Sequence, residues 1–428
     1  MGWDQFVADP SRLAAYLFVA YVDGNRMPLP DARCDAGTAP TQFVCSAQLP
    51  SMTVGAHTLE LAAVDTTDGG QDESPRSGAL NLNVSGVKSL GPRADANAPK
   101  QPQATAIDGV PAMVEILATG FTAPSALAAT PDGRLVVAQR SGAIWIWDRG
   151  AIGAVPALQL TDAARGSNAG LVGLAVAPAF ADTRNVFVAY TAQVSNHAYV
   201  NRVLRYRELN GSLGAGVVLL EDPVNAPPPS AARVRFGPDR KLYVAFAALS
   251  SQAALDLATY SGKLLRLNED GTTPRDNPAA SPILSSGHPD VGGFDWQTGT
   301  GKLWLAERSL DRRDRLVAVS AGGRATPMYT FASSVAPSAL TFYSNQAVRA
   351  LNGTAFISAL DAAAVEKVRV DPTTGLAVAA DPLFSGQFGR ISDIVEGADG
   401  NLYFCTSNGA DGGDQLLRIT PRVAAAAR

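Results

Sequence analysis

The stretch GHPDVGG, residues 287–293, sets a histidine two places from an aspartate inside a loop bounded by glycine and proline. His288 could serve there as a general base or metal ligand, with Asp290 as a second oxygen or base. The plainer alternative is a loop histidine bonded to backbone and an aspartate in a turn, since no second ligand stands at metal spacing. Downstream, ERSLDRRD interleaves Glu307, Asp311 and Asp314 with Arg308, Arg312 and Arg313. That pattern reads either as a polar site or as an exposed loop whose charges neutralise one another. NGADGGD at 408–414 has the oxygen-rich look of a calcium loop without the distal Glu of an EF-hand, so a hairpin turn competes with it. DTTDGGQDE at 65–73 reads as a solvated turn, and His57 and His197 fall in a strand and a loop. No Gly-x-Ser-x-Gly elbow is present.

What must position these groups is a degenerate repeat. Six segments align: APSALAATPDGRLVVAQ from 123, GLVGLAVAPAFADTRNVFVAY from 170, AARVRFGPDRKLYVAF from 231, VGGFDWQTGTGKLWLAE from 291, APSALTFY from 336 and ISDIVEGADGNLYFCTS from 391. Each is a strand, a turn and a second strand, followed by a third such as AIWIWD, RVLRYREL or KLLRLNEDG. Spacings of roughly 40 to 60 residues suit propeller blades. The expected fold is all-β, a six-bladed β-propeller over 109–422, preceded by a small β-sandwich. PAMVEILATG, 111–120, can supply the outer strand of the last blade and close the ring.

First strands line a propeller's channel, so the residues at their mouths face the funnel. The repeat alignment offers Ser125, Asn168, Ser230, Asp290, Ser338, Arg390 and Ser392, and the neighbouring loops add Glu307, Arg308, Asp311 and Asp361.

Residues 1–87 follow another pattern. LFVAYVDG, FVCSAQLP, GAHTLELAAVD and ALNLNVSG are strands separated by turns, similar to the end of a fibronectin type III or immunoglobulin-like module. MGWDQF begins where such a module's second strand would be ending, so a truncated module is expected. VKSLGPRADANAPKQPQATAI, about 88–108, is a Pro- and Ala-rich linker, and 423–428 is a tail. Cys34 and Cys45 flank a short loop, which suggests a disulfide and an oxidising, secreted or periplasmic location, while Cys405 reads as a buried apolar residue.

Composition narrows the partners. The 428 residues are 46% hydrophobic and 17% charged, with 40 Gly, 28 Pro and a formal net charge of −4. A negative chain without a long basic run argues against nucleic acid, and no stretch reaches the ~20 apolar residues of a membrane-spanning helix. The expected partner is a small polar molecule in the funnel, with the sandwich free to contact a polymer or surface.

GLVGLAVAPAF, RVRFGPDRKLYV, SGKLLRLNEDGTTPRDNP, SSGH with TGTGKLWLAE, and GRISDIVEGADGNLYF resemble, in this order, motifs of the glucose/sorbosone dehydrogenase family. The resemblance covers roughly residues 110–421. It implies a six-bladed propeller that oxidises aldose sugars with pyrroloquinoline quinone (PQQ) and calcium. Taken position by position, the family's Gly-Gly-Arg arginine is Arg233 and its catalytic histidine, four residues earlier, is Pro229, which can take no proton. The supporting acid falls on Ala248. The quinone-holding Gly-His-Arg-Asn-Pro-Gln-Gly loop reads Gly287, His288, Pro289, Asp290, Val291, Gly292, Gly293. The family's lysine falls on Asp361, and its Arg-x-Arg pair keeps Arg390 but has Ser392. The calcium-holding Gly-Pro is Ser309 and Leu310. These substitutions argue against PQQ, and acids at 290 and 361 are expected to repel a tricarboxylate.

Three functions follow. The first is metal-assisted hydrolysis of the lactone or phosphotriester type seen in other six-bladed propellers, with Ca²⁺ held by Asn168, Asp290 and Glu307 and with His288 and Asp290 as catalytic groups. The second is a non-catalytic carbohydrate- or ligand-binding propeller. The third is a PQQ sugar dehydrogenase with an altered ligand set that includes Arg233 and Arg390.

Overall fold

The computed structural model describes residues 2–422 apart from 8–9, 30–31, 38, 40, 48–51, 53–54, 68–71, 85–92, 95–102, 165–169, 196–197, 225–231, 310–312, 372 and 410–412. The chain divides into two compact units, Met1–Ser89 and Leu90–Arg428. Among the described residues no helix is long and apolar enough to cross a membrane.

The first unit is built from two antiparallel sheets. One orders Gly2–Phe6, Gln42–Ser46 and Arg33–Ala36; the other joins Asn25–Pro28, Tyr16–Val22 and Gly55–Asp65, the last also pairing Asp72–Glu73 and Leu80–Val84. YLFVAYV is apolar at nearly every position because both of its faces are covered. Phe18, Ala20 and Val22 join Cys45 and Leu59 in one cluster, while Val19 and Tyr21 meet Ala62 and Val64 on the other side. Trp3, from the smaller sheet, lies edge-on to Phe18 at 5.1 Å. Cys34 and Cys45 stand directly opposite across two strands and are joined by a disulfide. Reducing it should lower the unfolding free energy of this unit by about 3 kcal/mol by the chain-entropy relation for a short loop. Denaturant titration of the chain with and without dithiothreitol measures that difference; coincident curves would show that the bridge contributes nothing.

The second unit is a β-propeller. Six antiparallel sheets follow one another along 103–421. Their first strands are Pro124–Ala129, Leu171–Val176, Ala232–Phe236, Val291–Trp296, Pro337–Phe342 and Ile391–Glu396. Each touches the next, and Ile391–Glu396 returns to Pro124–Ala129. The last sheet takes Val110–Phe121 from the start of the unit, paired with Asp414–Pro421 from Ala112 opposite Pro421 to Phe121 opposite Asp414. Joining the two ends of the unit in one sheet closes the ring, and Gln103–Ile107 pairs on the outer side of the closing strand.

Small residues on the first strands let the sheets converge. A Cβ on Gly292 would lie 1.9 Å from the Pro337 carbonyl oxygen, so no larger residue fits there. The turn motif is also chemically explicit. Tyr243 Oη and Arg266 Nε both donate to Asp239 Oδ2, at 3.0 and 2.9 Å, and in the last sheet Tyr403 Oη donates to Asp399 Oδ2 at 2.8 Å. The aspartate of the repeat's Pro-Asp or Ala-Asp turn therefore fastens the turn to the strands beside it.

Candidate functional site

Three serines that the repeat alignment places at the funnel have another task. Ser125 donates to Leu171 O at 2.6 Å, Ser338 to Ile391 O at 3.0 Å and Ser392 to Pro124 O at 2.7 Å. All three are buried, and each pins its first strand to the backbone of the neighbouring sheet. Asp393 extends the pattern by accepting from Leu127 N at 2.7 Å. Asn168, Pro229, Ser230, Leu310, Asp311 and Arg312 lie outside the described residues.

His288 is enclosed at 1% exposure with both ring nitrogens engaged: Nδ1 meets Glu307 Oε1 at 2.5 Å and Nε2 meets Ser285 Oγ at 2.7 Å. Glu307, also 1% exposed, accepts from Arg315 Nε on its other oxygen at 2.8 Å. Ser285 donates its hydroxyl to Gly323 O at 2.7 Å. The Ser-His-Glu order resembles a nucleophile-base-orienter chain, but a hydroxyl committed to a carbonyl inside the protein has no access to substrate. Asp314 is likewise internal, accepting from the backbone N–H groups of Ser309, Val335 and Ala336. Of the charges in ERSLDRRD, then, Glu307 and Asp314 face inward.

What faces the funnel is a group of arginines. Arg140 and Arg308 each stand one residue beyond the second strand of their sheets, Leu135–Gln139 and Leu303–Glu307; Arg233 lies on Ala232–Phe236, and Arg390 immediately precedes Ile391–Glu396. Arg233 Nη1 donates to Ser125 O at 3.1 Å and Val172 O at 2.7 Å, bridging two other sheets. Arg390 Nη1 donates to Asp361 at 3.2 Å at the half-exposed rim, and Arg308 Nη1 lies 3.8 Å from Asp290 Oδ2 deeper down. Each acid expected to repel an anion is thus matched by an arginine beside it. The guanidinium groups feel one another. Burial, and after it Arg233, Arg308 and Arg390, push Arg140 down to about 10. Burial and Arg308 also lower Arg233, against the pull of Asp393 and Asp290. Desolvation raises Asp290 while Arg308 and Arg233 hold it down.

Three buried polar atoms in this group lack a partner: Arg233 Nε, Arg308 Nε and Asp290 Oδ1. Buried polar atoms without a partner are costly, and all three are covered by neighbouring protein atoms. A cavity of about 230 Å³ runs between the first strands, lined by Arg233, Arg235, Asp393 and Glu396 among apolar residues. Asp393 is pushed up to about 6 by burial, with Arg233 opposing. Among the described residues no cluster of three or more His, Cys, Asp or Glu is arranged to hold a metal ion.

The family model described as glucose/sorbosone dehydrogenase matches residues 121–325 and 317–418. The chain belongs to this family. It is 26% identical to the aldose sugar dehydrogenase YliI of Escherichia coli K12, over 72% of this chain and 93% of that one. It is 25% identical to quinoprotein glucose dehydrogenase B of Acinetobacter calcoaceticus, over 49% of this chain and 51% of the relative. The solved apo-form of the soluble E. coli aldose sugar dehydrogenase superposes with a TM-score of 0.65 at 22% identity, covering 73% of this chain and all of that one. That likeness establishes the fold. Of the four arginines, the repeat and the family motifs point to Arg233, Arg308 and Arg390 one at a time and leave Arg140 unmarked. A signal for Arg140 existed: VVAQR and WLAER place an arginine at the same repeat position, one residue past the second strand, in the first and fourth sheets.

Proposed function

We propose that this family member is a ligand-binding propeller whose funnel takes a small anionic molecule, and that it does not carry out base-assisted sugar oxidation. The observation behind the reading is the arginine group Arg140, Arg233, Arg308 and Arg390, with two acids at the mouth and unpartnered Nε donors on Arg233 and Arg308. Charge-assisted hydrogen bonds to an anion are the strongest polar contacts such donors can make.

Of what the family's PQQ requires, the anion-holding half is matched here by cations, and the proton-accepting half is Pro229. The quinone would supply two-electron oxidation when bound; this chain's own residues offer carboxylate recognition and nothing at that position that can accept a proton. We prefer this reading to the calcium hydrolase because Glu307 has both oxygens engaged, by His288 and Arg315; Asp290 lies 3.8 Å from Arg308 through Oδ2, and Asn168 is outside the described residues. We count the six sheets as six blades, take the first unit as a sandwich module suited to tethering, and place the protein outside the cytoplasm, a location the Cys34–Cys45 disulfide favours.

Calorimetric titration of the full chain with citrate at low salt is the test. Saturable binding that weakens tenfold or more in Arg308→Ala, and that falls as salt rises, is the expected result. Citrate binding that is absent, or unchanged in the variant, would overturn the reading.

A further inference from the structure

Beside the arginine group the third sheet carries a feature that a site for small sugars does not need. The loop between its second and third strands, Leu242–Phe246 and Lys263–Leu267, opens at the same end of the sheets as Arg140 and Arg308, because all three follow the second strand of their sheets. It contains a short helix, Ser251–Leu255, capped by Ser250, whose Oγ accepts from Ala253 N at 3.1 Å. Three leucines on it face water: Leu249 at 59% exposure, Leu255 at 59% and Leu257 at 65%.

This loop is bound to the loop that carries Asp290. Ala248 N donates to Pro289 O at 2.7 Å, and Gly287 N to Ala254 O at 2.9 Å. A Cβ on Gly287 would touch Leu255 Cδ2 at 3.4 Å, so the leucine lies against the backbone one residue before His288. Three exposed leucines within nine residues are unusual at a place where isolated apolar side chains would need no explanation. Their position, joined by hydrogen bonds to a loop that ends at a cationic site, places an apolar shelf next to an anion hole.

We propose that the funnel ligand is an amphiphile, a medium-chain carboxylate whose head is held by Arg233 and Arg308 and whose alkyl chain lies along Leu249, Leu255 and Leu257. The inference rests on the reading of the funnel as an anion site. The side chains of Arg233 and Arg308 are each partly exposed and offer a carboxylate two guanidinium groups, and the exposed leucines gain by covering an alkyl chain.

The experiment is a titration series of the full chain with hexanoate, octanoate and decanoate, kept below micelle-forming concentrations at constant ionic strength. Affinity should rise by about fourfold for each methylene covered. In the triple variant Leu249→Ser, Leu255→Ser, Leu257→Ser the series should flatten while citrate binding is retained; the exposed positions leave the core intact, and circular dichroism verifies the fold. Equal affinity for all three acids in the unaltered protein, with citrate still bound, overturns the shelf and leaves the anion site standing. A steep series that persists in the triple variant also overturns it, since the chain would then lie elsewhere. No binding of citrate or of any acid defeats the underlying anion reading as well. Alkyl phosphates that bind while the carboxylates of equal length do not would overturn the carboxylate assignment.

Discussion

Supplied with PQQ, calcium and glucose, the purified protein should reduce an electron-acceptor dye no faster than a protein-free control. This follows from the proposal above: by the motif resemblance the family's substrate base falls on Pro229, and a tertiary amide nitrogen in the backbone accepts no proton at neutral pH. Loss of a positioned general base costs roughly a hundred- to ten-thousandfold in rate. The other histidines do not substitute for it: His288 is enclosed with both nitrogens engaged, and His57 sits in the first unit against Asp23 at 2.6 Å. Arg140, Arg233, Arg308 and Arg390 together keep the funnel attractive to carboxylates, so binding of the quinone and turnover of sugar are separate questions. Glucose-dependent dye reduction that saturates with substrate would refute the functional proposal, whatever the affinity for PQQ.

Glu307→Ala should destabilise the propeller by about 3–5 kcal/mol, the range for leaving one side of a buried ionic pair uncompensated. Its carboxylate joins His288 of the loop after the third sheet to Arg315 of the fourth, so removal strips partners from both at once. Glu307→Gln keeps the shape and one acceptor and should lose less. Chemical denaturation of the three proteins, with calcium and again with EDTA, measures the effect. If Glu307 were a metal ligand, the loss would appear with calcium and vanish with EDTA; a structural carboxylate gives the same loss in both. A change below 1 kcal/mol in Glu307→Ala under both conditions would contradict the network.

Strands and turns were legible because their causes are local. Short continuous apolar runs and an Asp-Gly or Asp-Arg turn every few tens of residues act through neighbours in the chain, so LVVAQ, LYVAF, LWLAE and LYFCT announce second strands without reference to the rest. The closing strand at 110–121 was legible too, since one unpaired strand at the start and one incomplete sheet at the end leave a single economical pairing.

The chemistry of the mouth was decided elsewhere. Ser125, Ser338 and Ser392 occupy the repeat positions that sequence alone assigns to a funnel, yet whether a hydroxyl meets ligand or the next sheet's carbonyl depends on how closely two sheets approach, a property of residues about 50 to 270 positions away. Asp290 and Asp361 read as bare acids in the chain and became halves of ion pairs only when Arg308 and Arg390 arrived beside them. Glu307 and Arg308 are adjacent in sequence, and the alternation of a strand's end turned one inward to His288 and the other toward the axis. The sequence by itself therefore determined the sheets and their order, both of them matters of residue identity and local period. Only the tertiary structure decided which charges gather around the axis, because a net field is a sum over side chains from different sheets and no one segment contains it.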